Sequence, residues 1–156
     1  MKVPNQRQRI QASDSNVPII LVVENEPDNL LFISHTLIFF NYNFITATTG
    51  QDAFDLATKY EIDLVILDLV LPDISGFELV ALLKQEHLTR NMPILAVSAL
   101  VTPQERDRAF KAGCNDYLTK PYLIDSLKQK ISQYLPFSLA KSKLQQIAFR
   151  RKLSFT

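Results

Sequence analysis

A chain of 156 residues, 47% of them apolar, can bury one sizeable core and is short for two domains. No apolar run approaches the roughly 18–20 residues that span a bilayer, and the polar start MKVPNQRQRIQ lacks the apolar stretch of a secretory signal, so a soluble, cytoplasmic protein is expected. The formal net charge of +1 hides an uneven spread: residues 17–136 hold 9 Lys/Arg against 15 Asp/Glu, whereas 137–156 hold 5 Lys/Arg and no acid.

In chain order, residues 1–16 offer little to bury and read as a disordered arm. From Pro18 onward, short β-rich apolar runs alternate with longer segments of helical period, the signature of an α/β domain with a parallel sheet. The strand candidates are PIILVV (18–23), FITAT (44–48), DLVIL (63–67), PILAVS (93–98) and DYLT (116–119). The first, third and fourth are nearly continuous apolar, as strands covered on both faces should be. Helices are predicted at 27–40, 50–60, 76–87, 103–112 and 122–135. Pro27 and Pro103 suit first-turn positions, and Thr102 with Glu105 resembles a capping box. Leu30, Leu31, Ile33, Ser34, Leu37 and Ile38 give the first helix a broad apolar stripe, read as core packing. The single cysteine, Cys114, cannot form an internal disulfide and reads as a packing residue. With only His35 and His87, no Cys/His metal cluster can be assembled.

In an open parallel sheet, functional groups gather beyond the carboxyl ends of the strands. Glu24, Asn25 and Glu26 follow the first strand, Asp68 follows the third, Ser98 ends the fourth and Lys120 follows the fifth. Four strands thus deliver acid, acid, hydroxyl and ammonium to one end of the sheet.

The segments ILVVENEPDN, DLVILDLVLPDISG, PILAVSA and DYLTKP, in this order and spacing, resemble the motifs of response-regulator receiver domains over residues 18 to about 135. The resemblance implies a flavodoxin-like, doubly wound five-stranded parallel sheet in the order 2-1-3-4-5 with about five helices. It implies a phosphorylation switch in two-component signalling or a phosphorelay, with Asp68 accepting a phosphoryl group from a histidine kinase or phosphotransfer protein. Mg²⁺ would be held by Asp68, the Asn25 side chain and the Val70 carbonyl, with Glu24 acting through water. Lys120 would bind a phosphoryl oxygen and pair with Asp68 in the empty site, followed by a cis-proline turn at Pro121. Ser98 would hydrogen-bond the phosphoryl group beside small Ala99, and Tyr117 matches the family's switch aromatic.

The family usually carries two adjacent acids after the first strand, where this chain has Glu24-Asn25. One formal charge is lost beside the ion, and Glu24 is longer than Asp by a methylene, about 1.5 Å. Weaker magnesium binding is the expectation. The alternative is a pseudo-receiver, an interaction module regulated without phosphate. An unrelated enzyme is disfavoured, because no nucleophile elbow, Gly-rich phosphate loop or candidate catalytic histidine is present.

The division expected is an arm (1–16), a receiver domain (17–136) and a basic amphipathic tail (137–156). No DNA-binding or enzymatic output domain follows, so a stand-alone regulator acting on another protein is expected. In SLAKSKLQQIAFRRKL (138–153), Ala140, Leu144, Ile147 and Ala148 fall near one helical face. Such an extra C-terminal basic helix can pack on the domain, mediate homodimerisation or contact an acidic partner. Contact with membrane or nucleic acid is the less supported use, as five basic residues without a base-reading motif are weak evidence.

Overall fold

The computed structural model describes residues 17–135, so the arm and the tail lie outside the described residues. Five strands alternate with five helices: β1 (Ile19–Val23), α1 (Pro27–Phe39), β2 (Asn43–Ala47), α2 (Gly50–Lys59), β3 (Leu64–Leu67), α3 (Gly76–Gln85), β4 (Ile94–Ser98), α4 (Pro103–Ala112), β5 (Asp116–Thr119) and α5 (Ile124–Tyr134). All pairings are parallel, in the order β2-β1-β3-β4-β5, as the resemblance implied.

The strands separate two cores by their alternation. Ile19, Leu21 and Val23 of β1, with Val65 and Leu67 of β3, join one cluster with Ala53, Ala57, Leu79, Val80, Leu83 and Ala109 from α2, α3 and α4. Ile20, Val22, Leu64 and Ile66 point the other way, onto Ile33 and Leu37 of α1 and Leu127 and Ile131 of α5. Every residue of β1, β3 and β4 is buried. Their continuous apolar runs follow from being covered on both faces.

Local signals explain the helix ends. Pro27 and Pro103 stand in first turns, and Thr102 and Glu105 form the predicted capping box. Thr49 and Ser75 cap α2 and α3, each accepting a backbone N–H three residues on. Gly113 closes α4 at φ 124, a conformation that L side chains rarely adopt. Helix α3 stops at Gln85, two residues short of the prediction. Thr89 and Lys84 hold the following turn by donating to the carbonyls of Leu83 and Met92. Helix α5 starts at Ile124, after a cis Lys120–Pro121 bond and the N-cap residue Leu123.

One packing expectation is corrected. Ile33 and Leu37 of the α1 stripe are buried, but Leu31 and Ile38 are not: they stand 56% and 43% exposed, joined by Phe32 at 45% and Phe39 at 77%. Helix α1 therefore has two apolar sides, and the sheet covers one. Cys114 packs in the core as expected, and burial pushes its thiol up to about 11. Among the described residues no helix is long and apolar enough to cross a membrane.

Candidate functional site

Strand register assembles the site. Val23 pairs with Leu67 across β1 and β3, so the next residues, Glu24 and Asp68, leave the sheet side by side. Their backbones continue the ladder: Glu24 N–H donates to the Ala47 carbonyl at 3.0 Å and Asp68 N–H to the Val23 carbonyl at 2.9 Å. On the other side Ser98 pairs with Thr119, and Lys120 N–H donates to the Ser98 carbonyl at 3.0 Å. Groups from four loops thus meet because four strands end together.

The loop carrying Asp68 is held from below. The Gly76 N–H donates to the Leu69 carbonyl at 2.8 Å, and a Cβ at Gly76 would stand 2.4 Å from the Leu69 Cα. Only glycine allows α3 to start this close to the acidic loop. Asp73, in the same loop, accepts N–H bonds from Gly50 and Gln51 at 2.8 and 2.9 Å, tying the loop to the start of α2. Those bonds hold its carboxyl below the usual value.

Lys120 sits between two carboxylates. Its Nζ donates to Asp68 Oδ2 at 2.8 Å, as the resemblance implied, and also to Glu24 Oε2 at 2.7 Å. The second contact was not foreseen. The extra methylene of Glu24 carries its carboxylate to the ammonium, while Oε1 accepts the Glu26 N–H at 3.0 Å. Glu24 is 5% exposed. Burial raises its pKa, the hydrogen bond from Lys120 opposes that rise, and neighbouring Asp68 adds to it. For Lys120, burial acts to lower the pKa, but the two carboxylates outweigh it and the net shift is upward. Two carboxylates around one ammonium leave the pocket one unit negative.

Asn25 is exposed. The Val70 N–H donates to Asp68 Oδ1 at 2.9 Å, which folds the loop so that Val70 follows closely on the acid. Ser98 is fully buried, with Oγ accepting from Leu100 N–H at 3.3 Å. Tyr117 is buried, and its hydroxyl donates to the Leu100 carbonyl. Burial raises its pKa, with the nearby Ser98 hydroxyl opposing. The sequence reading missed Arg106, whose guanidinium lies 5.8 Å from the Tyr117 ring centre and 5.9 Å from that of Phe110. Its place on α4, four residues before Phe110, was the available signal.

Glu24, Asp68, Ala99, Lys120 and Pro121 line a cavity of about 410 Å³ together with Asn29, Phe32 and Tyr122. The donor set suits one ion. Magnesium takes one or two carboxylates and fills its remaining positions with carbonyls and water, and two carboxylates already converge on a cation here. Among the described residues no cluster of three or more His, Cys, Asp or Glu could form a fuller cage.

Comparison with known proteins agrees with this geometry. Residues 20–132 match the family model described as the response regulator receiver domain. The polar-differentiation response regulator DivK of Brucella ovis is 29% identical over 116 residues, covering 74% of this chain and 94% of that protein. A Vibrio cholerae protein named as a cyclic di-GMP phosphodiesterase is 32% identical over 133 residues, 85% of this chain; the chain spans only 30% of that protein's length. A solved receiver domain, from the sensor histidine kinase PA1611 of Pseudomonas aeruginosa PAO1, carries a magnesium ion in its active-site cleft. It superposes with a TM-score of 0.71 at 27% identity, covering 76% of this chain and 97% of that one.

Proposed function

This chain belongs to the response regulator receiver family, and from that premise we propose that Asp68 is its phosphoacceptor and Lys120 the cation that holds the incoming phosphoryl group. The observation carrying the reading is the direct pairing of Lys120 with Asp68 at 2.8 Å, on a residue that leaves β3 beside the second carboxylate. The donor is a phosphohistidine of a kinase or phosphotransfer protein. An Asp68 carboxylate oxygen attacks phosphorus as the P–N bond breaks, and the histidine nitrogen keeps the bonding pair. Lys120 then transfers from Asp68 to a phosphoryl oxygen as a mobile point charge. Ser98 supplies a hydroxyl to the phosphoryl group, and Tyr117 reports the movement of the β4–α4 loop to which it is bonded.

Asp68, the Asn25 amide oxygen and the Val70 carbonyl would hold Mg²⁺, with Glu24 acting through water. The ion's contribution is to neutralise carboxylate and phosphoryl charge while aligning the oxygens. Its binding is weakened twice in this chain. Asn25 supplies no charge, and Glu24 and Asp68 are already engaged by Lys120.

The protein acts as a signalling switch whose output is a change in protein contacts. The test is intact-mass measurement after incubation with acetyl phosphate and magnesium. The expected result is a gain of one phosphoryl group in the parent and none in Asp68→Asn. No gain in the parent would make the protein a phosphate-independent interaction module; equal gain in the variant would move the acceptor elsewhere.

A further inference from the structure

Helix α1 carries an apolar stripe that the described domain leaves largely exposed. Leu31, Phe32, Ile38 and Phe39 are all exposed, spaced as one turn and then two turns of a helix require for a shared side, with His35 between them. This is unusual for a helix already packed on a sheet through Ile33 and Leu37. Helices α1 and α5 lie on the same sheet face and run side by side. Phe32 contacts Tyr122 ring to ring at 5.9 Å, and Lys128 Nζ lies 4.6 Å from the Phe40 ring centre. Helix α5 runs to Tyr134, and Leu135 is the last buried apolar residue among the described residues. The described chain therefore ends on the helix beside α1, at the same end of the domain as the end of α1.

We propose that the chain's own segment 138–153 folds back on α1 and covers this stripe. Three observations select that occupant. Its apolar residues Ala140, Leu144, Ile147 and Ala148 recur at helical spacing. Its length fits: α1 is 13 residues, about 20 Å, and the 13 residues 138–150 as a helix span the same length. Its charge fits in one direction only. Running back along α1 brings Arg150, Arg151 and Lys152 level with its first turn, where Glu26 and Asp28 are exposed. Among the described residues no cation pairs with those two carboxylates. Leu135-Pro136-Phe137 makes the reversal, since proline cannot continue a helix and biases its predecessor to extended backbone. Phe32 belongs both to the stripe and to the wall of the phosphorylation cavity, so the docked segment borders the cavity mouth.

The contact is independent of phosphorylation, and its test is chosen accordingly. Methyl and amide NMR spectra of the full chain are compared with those of a chain stopped after Pro136, which keeps Leu135 and every described core residue. The expected result is shifts concentrated at Leu31, Phe32, Ile38 and Phe39, with Leu82 and Phe110 on the far helices unmoved. These shifts stay constant over a hundredfold dilution, and sedimentation reports a monomer. In the full chain, Phe39→Ser should return the α1 signals more than half way to their truncated positions. The triple change Arg150→Glu, Arg151→Glu and Lys152→Glu should do the same for Asp28 and Leu31. Absence of shifts on α1 overturns the proposal, as do shifts on another face. Shifts that fade on dilution together with a dimer assign the stripe to a second copy, and charge reversal without effect removes the stated direction of docking.

Discussion

The two halves of the proposed phosphorylation pocket follow unequally the pattern that the resemblance implied. On the β4–β5 side, Ser98, Tyr117 and Lys120 are the expected types: a buried hydroxyl, an inward aromatic and an ammonium reaching Asp68 at 2.8 Å. On the β1 side, an amide stands at position 25 and a longer acid at position 24, and the longer acid has turned to Lys120 at 2.7 Å. The half proposed to grip phosphate keeps the expected residue types, and the half proposed to grip metal does not. One methylene suffices, because a carboxylate beside an ammonium in a buried pocket gains more from pairing than from facing water. The difference teaches that the acidic half in this chain stabilises the resting lysine as well as any ion.

The strongest way to break the comparison is to remove the residue both halves share. Lys120→Met keeps the apolar stem but leaves Glu24 and Asp68 facing each other without a cation. Acetyl phosphate labelling should slow about a hundredfold. Unfolding by urea at pH 7 should show a loss of about 2–4 kcal/mol, shrinking in acid where the carboxylates protonate. A fully stable variant would mean that the two acids do not depend on the ammonium.

Asn25→Asp sharpens the contrast by restoring the missing charge. Magnesium should bind about tenfold tighter, the ~1.4 kcal/mol that remains after solvent screening, and labelling at limiting magnesium should quicken. Because Asn25 is exposed, the metal-free protein should lose little stability. Unchanged affinity by calorimetry would show that position 25 does not face the ion.

On the β4–β5 side, Tyr117→Phe deletes the hydroxyl that donates to the Leu100 carbonyl. Stability should fall by about 1 kcal/mol, and amide exchange in the loop at 99–102 should quicken. Unaltered exchange there would separate Tyr117 from the loop.

The smallest effect is in the pH profile. A carboxyl with a raised pKa binds protons more tightly in the folded state, so Glu24 makes the protein more stable as pH falls through its folded value toward 4.5. Lys120, also raised, contributes stability that is complete below 10.5 and lost as pH climbs through its folded value. Urea midpoints of parent and Glu24→Gln across the acid range should converge near neutrality in slope and differ only in that acid window. Identical profiles would show that Glu24 titrates as if unfolded.

Most of the architecture was legible because burial on both faces writes itself as unbroken apolar runs, as in IILVV and LVIL. Asp68 and Ser98 were legible because each directly ends or follows such a run, and Lys120 because it follows the short strand segment in DYLTKP. What escaped was side-chain reach. Sequence position puts Glu24 at the rim of an ion site, but only three dimensions show Lys120, 96 residues away, within its grasp. The outward side of α1 escaped for the opposite reason: Leu31 and Ile38 have core chemistry, and composition alone cannot tell a residue that is covered by this domain from one awaiting another cover.

The pairing of Val23 with Leu67 also limits how such a protein can evolve. Deleting one residue within β3 would exchange Leu64 and Ile66 with Val65 and Leu67 between the two cores and carry Asp68 away from Glu24 in the same event. Insertions and deletions inside the strands are thus purged by folding before signalling is ever tested. Lineages can explore new chemistry at fixed addresses, as at Glu24 and Asn25, and new lengths only in the loops and at the chain ends.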